Sequence, residues 1–209
     1  MYDRPLLAHS LAEVYLYLMV TPCGHCRRGP LRGGEARPFQ DGATTGVSVE
    51  ATCGSCHRGK ELRFELPAEE LAAARTTPPD SAARINSGTE TSRIIDVAGW
   101  LTLFRVIADA AAKTKDKVEA RKLAYEAAQC LEEALKFYDR ENDLPPETAF
   151  YNETSRRLYR EHPERLARSR LIDLRAKLPA IDAMEKQLAA SRNRKRRWWR
   201  RRRKTGPTE

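Results

Sequence analysis

Five cysteines stand in this chain of 209 residues, and four of them fall into two pairs, Cys23-Gly-His-Cys26 and Cys53-Gly-Ser-Cys56. Two intervening residues let the backbone turn so that both sulfurs of a pair face one point. Two such turns offer four thiolates, which complete the tetrahedral shell that zinc accepts without redox chemistry. In a reducing compartment, paired cysteines of this kind are metal ligands or catalytic thiols rather than disulfides. Four sulfurs also close the shell, so the expected ion is one structural zinc held by Cys23, Cys26, Cys53 and Cys56. His25 and His57 lie beside the pairs and are read as exposed side chains or as hydrogen-bond partners of a sulfur. Cys130 stands alone on the apolar stripe of a predicted helix and reads as a small buried hydrophobe.

The segments TPCGHC (21–26) and ATCGSC (51–56), each with glycine after its first cysteine, resemble the knuckles of the zinc-ribbon fold group. The resemblance covers about residues 13–66 and implies a small sheet stapled by metal, with no activity attached. Three other chemistries use parts of the same pattern. CGHC is similar to the active-site tetrad of protein disulfide isomerases, which would make Cys23 and Cys26 a thiol oxidoreductase centre. In those enzymes the motif opens a helix, whereas here Pro22 precedes it and RRGPLRGG follows. Cys53-Gly-Ser-Cys56-His57 fits the attachment pattern of c-type haem, which requires export and leaves the first pair unused. A rubredoxin-like iron takes the same four sulfurs as zinc.

Such turns need a frame. EVYLYLMV (13–20) is rich in β-branched and aromatic residues and predicts a strand running into Thr21-Pro22-Cys23. Residues 27–46 carry Gly29, Pro30, Gly33, Gly34, Pro38, Gly42 and Gly46, which is turn chemistry around a short strand near 35–40. Residues 46–52 and 60–66 alternate, with Val47 and Val49, then Leu62, Phe64 and Leu66, on one face. Pro67 opens a short helix with Glu69 and Glu70 in its first turn. A module this small buries little apolar surface, so the metal supplies on the order of 10 kcal/mol of its folding free energy. Loss of metal is expected to unfold residues 13–66 and leave the helices intact.

The predicted organisation is a ribbon with its short helix over 1–75, a linker over 76–92, an α-helical domain over 93–190 and a basic tail over 191–209. Val97, Trp100, Leu101, Phe104, Ile107, Ala108 and Ala111 repeat at helical spacing. Asp116 caps a second helix whose stripe is Leu123, Ala127, Cys130, Leu131, Ala134, Leu135 and Tyr138. Pro145-Pro146 start a third helix at about 147–160, and Pro163 a fourth that Pro179 ends. Ile181, Met184 and Leu188 mark a last amphipathic segment. EAAQCLEEALKFYD (126–139) resembles the second helix of a tetratricopeptide repeat, but no second copy follows at that repeat's ~34-residue period. The fold class expected is therefore α+β: a small β ribbon, an all-α bundle or hairpin domain, and a disordered or helical tail.

The net charge of +9 with a pI near 9.5 is a local property. Without residues 192–209 the chain holds 28 basic and 28 acidic side chains. The tail supplies Arg192, Arg194, Lys195, Arg196, Arg197, Trp198, Trp199, Arg200, Arg201, Arg202, Arg203 and Lys204. Its charges repel one another and suit a polyanion. DNA or RNA would release counterions and stack on the indoles. An anionic membrane surface offers the same attraction, with the indoles at headgroup level. Arg156, Arg157, Arg160, Arg165, Arg168 and Arg170 extend the positive character onto predicted helices. No G-x-S-x-G, H-E-x-x-H, Walker loop, G-x-G-x-x-G or RNA-binding signature is present. The expectation is a non-enzymatic binding or adaptor protein that engages nucleic acid non-specifically. Its ribbon would meet an unidentified protein partner, and no small-molecule substrate is evident. The N-terminal stretch lacks a positive n-region and Glu13 interrupts its apolar run, so the cytoplasm is the expected compartment.

Overall fold

The computed structural model describes residues 4–76, 84–181, 183, 184 and 186 of the chain. The alternating sequence of the first third forms a sheet of β1 (Leu6–Leu7), β2 (Leu31–Asp41), β3 (Thr44–Cys53) and β4 (Gly59–Glu65), in the order β1-β4-β3-β2. β2, β3 and β4 are antiparallel neighbours, and β1 adds to β4 in parallel. Alternation decides the faces: Val47, Val49, Ala51 and Cys53 point inward, with Phe64 opposite Val47 and Leu62 opposite Val49. β2 is longer than the short strand expected near 35–40. Its pairing with β3 runs from Asp41 through a bulge between Gly33 and Ala36 to Leu31, opposite Cys53. Two glycines that read as turn residues are strand residues at points of close approach. A Cβ on Gly46 would stand 1.9 Å from the Phe64 carbonyl oxygen, and one on Gly33 would stand 2.7 Å from Leu18 of the helix above.

That helix, α1 (Leu11–Val20), replaces the strand expected over 13–20. Ser10 starts it by accepting the Glu13 N–H on its hydroxyl. α1 lacks a polar face because it is covered from two sides. Val14 and Leu18 pack into the core of the sheet with Val47, Val49 and Phe64. Leu16 lies in the helical core, with Ala12 and Val20 packed against it. Tyr17 touches both cores and meets Phe64 edge-on at 5.7 Å. A helix buried all round loses its 3.6-residue periodicity, and over a short run its composition matches that of a buried strand.

After the sheet, α2 (Ala68–Thr76) carries Glu69 and Glu70 in its first turn, as expected of the chain after Pro67. α3 (Val97–Lys113) is capped by Asp96, which accepts the Gly99 N–H. α4 (Lys117–Leu135) is capped by Asp116, which accepts the Val118 and Glu119 N–H groups. The two helices bury Trp100, Leu101, Leu103 and Ile107 against Ala127, Cys130, Leu131 and Ala134. The third expected helix is interrupted: a 3-10 turn (Glu147–Ala149) comes first, Phe150 is extended, and Asn152 caps α5 (Glu153–Glu161). Ala149 and Phe150 are buried, and the Tyr151 N–H is held by Asp96 Oδ2 at 3.0 Å. Those contacts outweigh the helical preference of the sequence there. Pro163 likewise opens a 3-10 turn (Pro163–Leu166) before α6 (Arg168–Ala176). Asp143, from a distant loop, accepts the Ser169 N–H at 2.7 Å and caps α6.

The segment expected to link the two halves is anchored at Ile85, Asn86 and Ser92, while residues 87–90 between them are exposed. Ile85 is buried, its N–H donates to Gln129 Oε1 at 2.8 Å, and its carbonyl accepts the Ser10 hydroxyl at 2.5 Å. At the other end, Ile181 and Met184 pack on Tyr125 and Ala128 of α4. The architecture is α+β, a small sheet followed by helices.

Glu126 on α4 is half-buried, and burial, with like charge from Glu119, pushes its pKa up to about 7. The native state thus binds this proton more tightly than the unfolded chain does. The stability it allows is full in acid and is lost as pH rises from the ordinary carboxyl range through 7. Glu126→Gln should therefore stabilise the protein by about 2 kcal/mol at pH 8 and by little at pH 4, read from urea midpoints at the two pH values.

Candidate metal centre

Both cysteine pairs sit at one end of the sheet. α1 ends at Val20, Thr21 caps it, and the chain turns through Cys23–Arg28 into β2. β3 delivers Cys53 as its last residue, and the chain turns through Cys56 into β4. The two turns repeat each other bond for bond. The N–H of the first cysteine donates to the carbonyl five residues on, Cys23 to Arg28 at 2.6 Å and Cys53 to Arg58 at 2.9 Å. The residue after the second cysteine donates back to the first, Arg27 to Cys23 and His57 to Cys53. Arg27 and His57 both adopt φ 58°, a left-handed conformation that costs an ordinary side chain about 1 kcal/mol. That shared strain tightens each turn and aims both of its sulfurs the same way. The turns are tied together by the Gly54 N–H, which donates to the Pro30 carbonyl at 3.0 Å, and by the pairing of Leu31 with Cys53.

The four sulfurs lie within 4.8 Å of one another. Cys23 Sγ is 3.7 Å from Cys56 Sγ, and Cys26 Sγ is 3.6 Å from Cys53 Sγ. A disulfide needs about 2 Å, so these are free thiols. An ion bound tetrahedrally at about 2.3 Å from each sulfur sets its ligands about 3.8 Å apart, close to the spacings found. The donor set and its geometry fit one tetrahedral metal ion.

The backbone prepares the sulfurs for ionisation. The N–H groups of Cys56 and Ser55 point at Cys53 Sγ and bring its pKa down to about 6. Those of Cys26 and His25 lower Cys23 in the same way. Cys56 moves up to about 11: the Arg58 N–H works to lower it, but burial and hydrogen bonds to the other three sulfurs outweigh that. Four thiolates at these distances repel strongly, and a divalent cation at their centre offsets that repulsion and displaces the remaining protons. Arg58 spans the two turns, with Nη1 3.2 Å from His25 Nδ1. His25 and His57 are exposed and lie outside the sulfur cluster. The six-residue echo CGHCRR and CGSCHR, with arginine at each sixth position, was a readable sign of the paired turns.

Other expected features fare differently. Cys130 is fully buried in the helical core, and burial, with Glu126 and Glu133 nearby, pushes its thiol pKa well up. Several arginines of the basic helical approach have acidic neighbours. Arg160 pairs with Glu153, Arg157 with Glu161 at 3.9 Å and Arg165 with Glu164 at 3.7 Å. Arg175, the neighbour of this group on α6, makes a two-pronged contact with Glu132. The tail residues Arg192 to Lys204, with Trp198 and Trp199, lie outside the described residues. Among the described residues, no helix is long and apolar enough to cross a membrane. Comparison with protein families, with curated proteins and with solved structures finds no match to the chain.

Because α1 contributes Leu16 and Tyr17 to the helical core and runs directly into the first turn, a metal held by the four sulfurs would be coupled to more than the ribbon. Chelation, or Cys56→Ser, should expose residues 21–66 to protease and also lower the urea midpoint of α3 and α4, read by far-ultraviolet circular dichroism. An unchanged helical midpoint would show that the two cores are energetically independent.

Proposed function

We propose that this chain is a non-enzymatic binding protein built on a structural zinc ribbon, and that it engages nucleic acid without sequence specificity through its basic C-terminus. The observation that carries the first part is the closed four-sulfur shell of Cys23, Cys26, Cys53 and Cys56 at tetrahedral spacing. A catalytic zinc keeps a position open for water or substrate, whereas four sulfurs leave none. Zinc suits this set because it imposes no geometry of its own and undergoes no redox change. When bound, the ion supplies folding free energy. The chain's own part is to preset the turns with backbone N–H groups and to seat Cys23 and Cys53 at the end of the sheet's apolar core. Four reduced thiols also agree with a cytoplasmic setting. The CGHC turn, used as a redox centre, would open a helix; here β2 follows it.

Charge arithmetic carries the second part. A body that sums to zero and a tail with ten Lys and Arg in thirteen residues concentrate the attraction for a polyanion at one end of the sequence. The ribbon, with seven basic and six acidic side chains over 13–66 and a site charge near −2, is close to neutral. It reads as a module for contact with another protein.

Full-length protein should bind single-stranded and duplex DNA and RNA with little preference. Affinity should fall roughly 10³-fold or more between about 50 and 200 mM salt. The chain truncated after residue 191 should lose most of that binding while keeping its zinc. Equal affinities of the two chains would remove nucleic-acid binding from the tail. Selective sedimentation with anionic vesicles, with a blue-shifted Trp spectrum, would assign the tail to membrane surfaces instead.

A further inference from the structure

Two carboxyl groups are buried where the N-terminal segment, residues 84–96 and α4 meet. Glu13 is 1% exposed and Glu133 is 3% exposed. The His9 N–H donates to Glu13 Oε2 at 2.5 Å, while Glu13 Oε1 is buried with no hydrogen-bond partner. The Ser92 hydroxyl faces the same carboxyl group. Glu133 Oε1 pairs with Lys136 Nζ at 2.7 Å, and its Oε2 accepts from Asn86 at 3.4 Å. Lys136 Nζ also donates to the Gly88 carbonyl at 2.7 Å.

The remaining charged and titratable groups come from every neighbouring element. The His9 ring faces Glu13 and has Nε2 3.1 Å from the Thr91 carbonyl. Tyr151 faces Glu13, Asp96 and Arg93, and its hydroxyl donates to the Ser92 carbonyl at 2.5 Å. Asp96 is spent on the N–H groups of Gly99 and Tyr151. Among the described residues, the Lys136 ammonium acts on both buried carboxyl groups while already bonded to Glu133 and the Gly88 carbonyl. An ionised carboxylate without water or a full set of donors is costly to bury, and it takes up a proton instead. Burial accordingly raises the pKa of Glu13, against the lowering effects of Ser92, His9 and Lys136. It raises Glu133 as well, with Glu13 adding to the effect against Lys136 and Asn86.

The loop that covers these groups also joins the two cores. Its Ile85 bonds to Ser10 and Gln129, its Asn86 to Glu133, and its Ser92 to the N–H groups of Ile94 and Ile95. We propose that the Glu13–Glu133 pair holds a bound proton, and that this proton latches residues 84–96 onto α1 and α4. The junction between ribbon and helices then tightens in acid and loosens as pH rises. The sign follows from linkage. With the loop open, both groups meet water and ionise in the ordinary carboxyl range. The closed state binds the extra proton, so closure is strongest at low pH and weakens as pH rises through the raised native values.

Hydrogen exchange on the zinc-loaded full chain at pH 5 and pH 8 tests this, each amide being expressed as a protection factor corrected for intrinsic rate. In wild type the amides of Ile85, Gly88, Ile94 and Ile95 should lose protection severalfold at pH 8, while Val47 and Val49 in β3 hold theirs. Glu13→Gln, which supplies a permanently neutral group of the same shape, should keep the low-pH protection at both values. Glu133→Gln serves as the second variant, and suppression of the pH effect in either one supports the latch. Protection that is independent of pH in wild type would overturn it even if both variants fold poorly. A pH effect that survives both glutamine variants would also overturn it. So would an effect that disappears in His9→Gln alone, which would place the titration on the imidazole.

Discussion

A ten-residue helix that is apolar on most of its surface needs cover on more than one side, and α1 is covered by two different cores, with Met19 near its end left exposed. Much of the molecule follows from that. The sheet presents Gly33 so that Leu18 and Tyr15 can approach its backbone, and the Tyr15 hydroxyl donates to the Gly34 carbonyl at the bulge in β2. The helical hairpin presents Trp100, Leu101 and Leu103 to the opposite side. α1 then hands the chain to the first cysteine turn after two residues, Thr21 and Pro22. The position of Cys23 and Cys26 is therefore fixed from the helical side, and that of Cys53 and Cys56 from the sheet. The sulfur cluster thus joins a turn that follows α1 to a turn that follows β3, so a metal held there would tie together elements anchored in both cores.

The sheet itself stays small because it is held at both margins. β1 covers the edge of β4 with two residues. β2 leaves its outer edge open, but that edge carries a bulge, Pro38 without an N–H, and the charged residues Arg32, Glu35 and Arg37. These are features that discourage a foreign strand from adding there. On the solvent face, Arg63 lies 4.0 Å over the Phe39 ring and contacts Asp41, so the half-buried aromatic is shielded by a cation that is itself partly neutralised.

The cysteine spacing was the most legible part of the sequence, because two turns of fixed length can bring four sulfurs together in few ways. The alternating strands around Val47, Val49, Leu62 and Phe64 were equally plain, as was the cap Asp116 once α4 was recognised by period. What failed to show was anything decided by burial on two sides. EVYLYLMV has the composition of a strand because each of its faces meets a core, and no local preference separates the two outcomes. The same holds for Ile85 and Asn86. Surrounded by Thr, Pro, Ser and Gly they read as linker, yet they are held by partners 44 and 47 residues away in sequence, Gln129 and Glu133. The break at Phe150 is of this kind too, set by Asp96 across the fold and not by Pro145 or Pro146.

Charge shows a related division between what is local and what is not. Arg156 through Arg170 read as a positive face when counted along the chain, yet Arg157, Arg160 and Arg165 each stand beside a glutamate. Exposed pairs of this sort add little stability, but they do cancel field at a distance. Over 153–176 the seven arginines are accompanied by four acidic side chains, so the helices are less positive than the arginines alone imply, and the ribbon sums to near neutrality around its thiolates. The surplus that remains in the sequence belongs to residues 192–204. Under the function proposed above, attraction for a polyanion would rest on the composition of residues 192–204 more than on the charge of the described body. An attraction set by charge density along a short run of sequence, with no ordered surface of complementary shape behind it, carries no preference among base sequences.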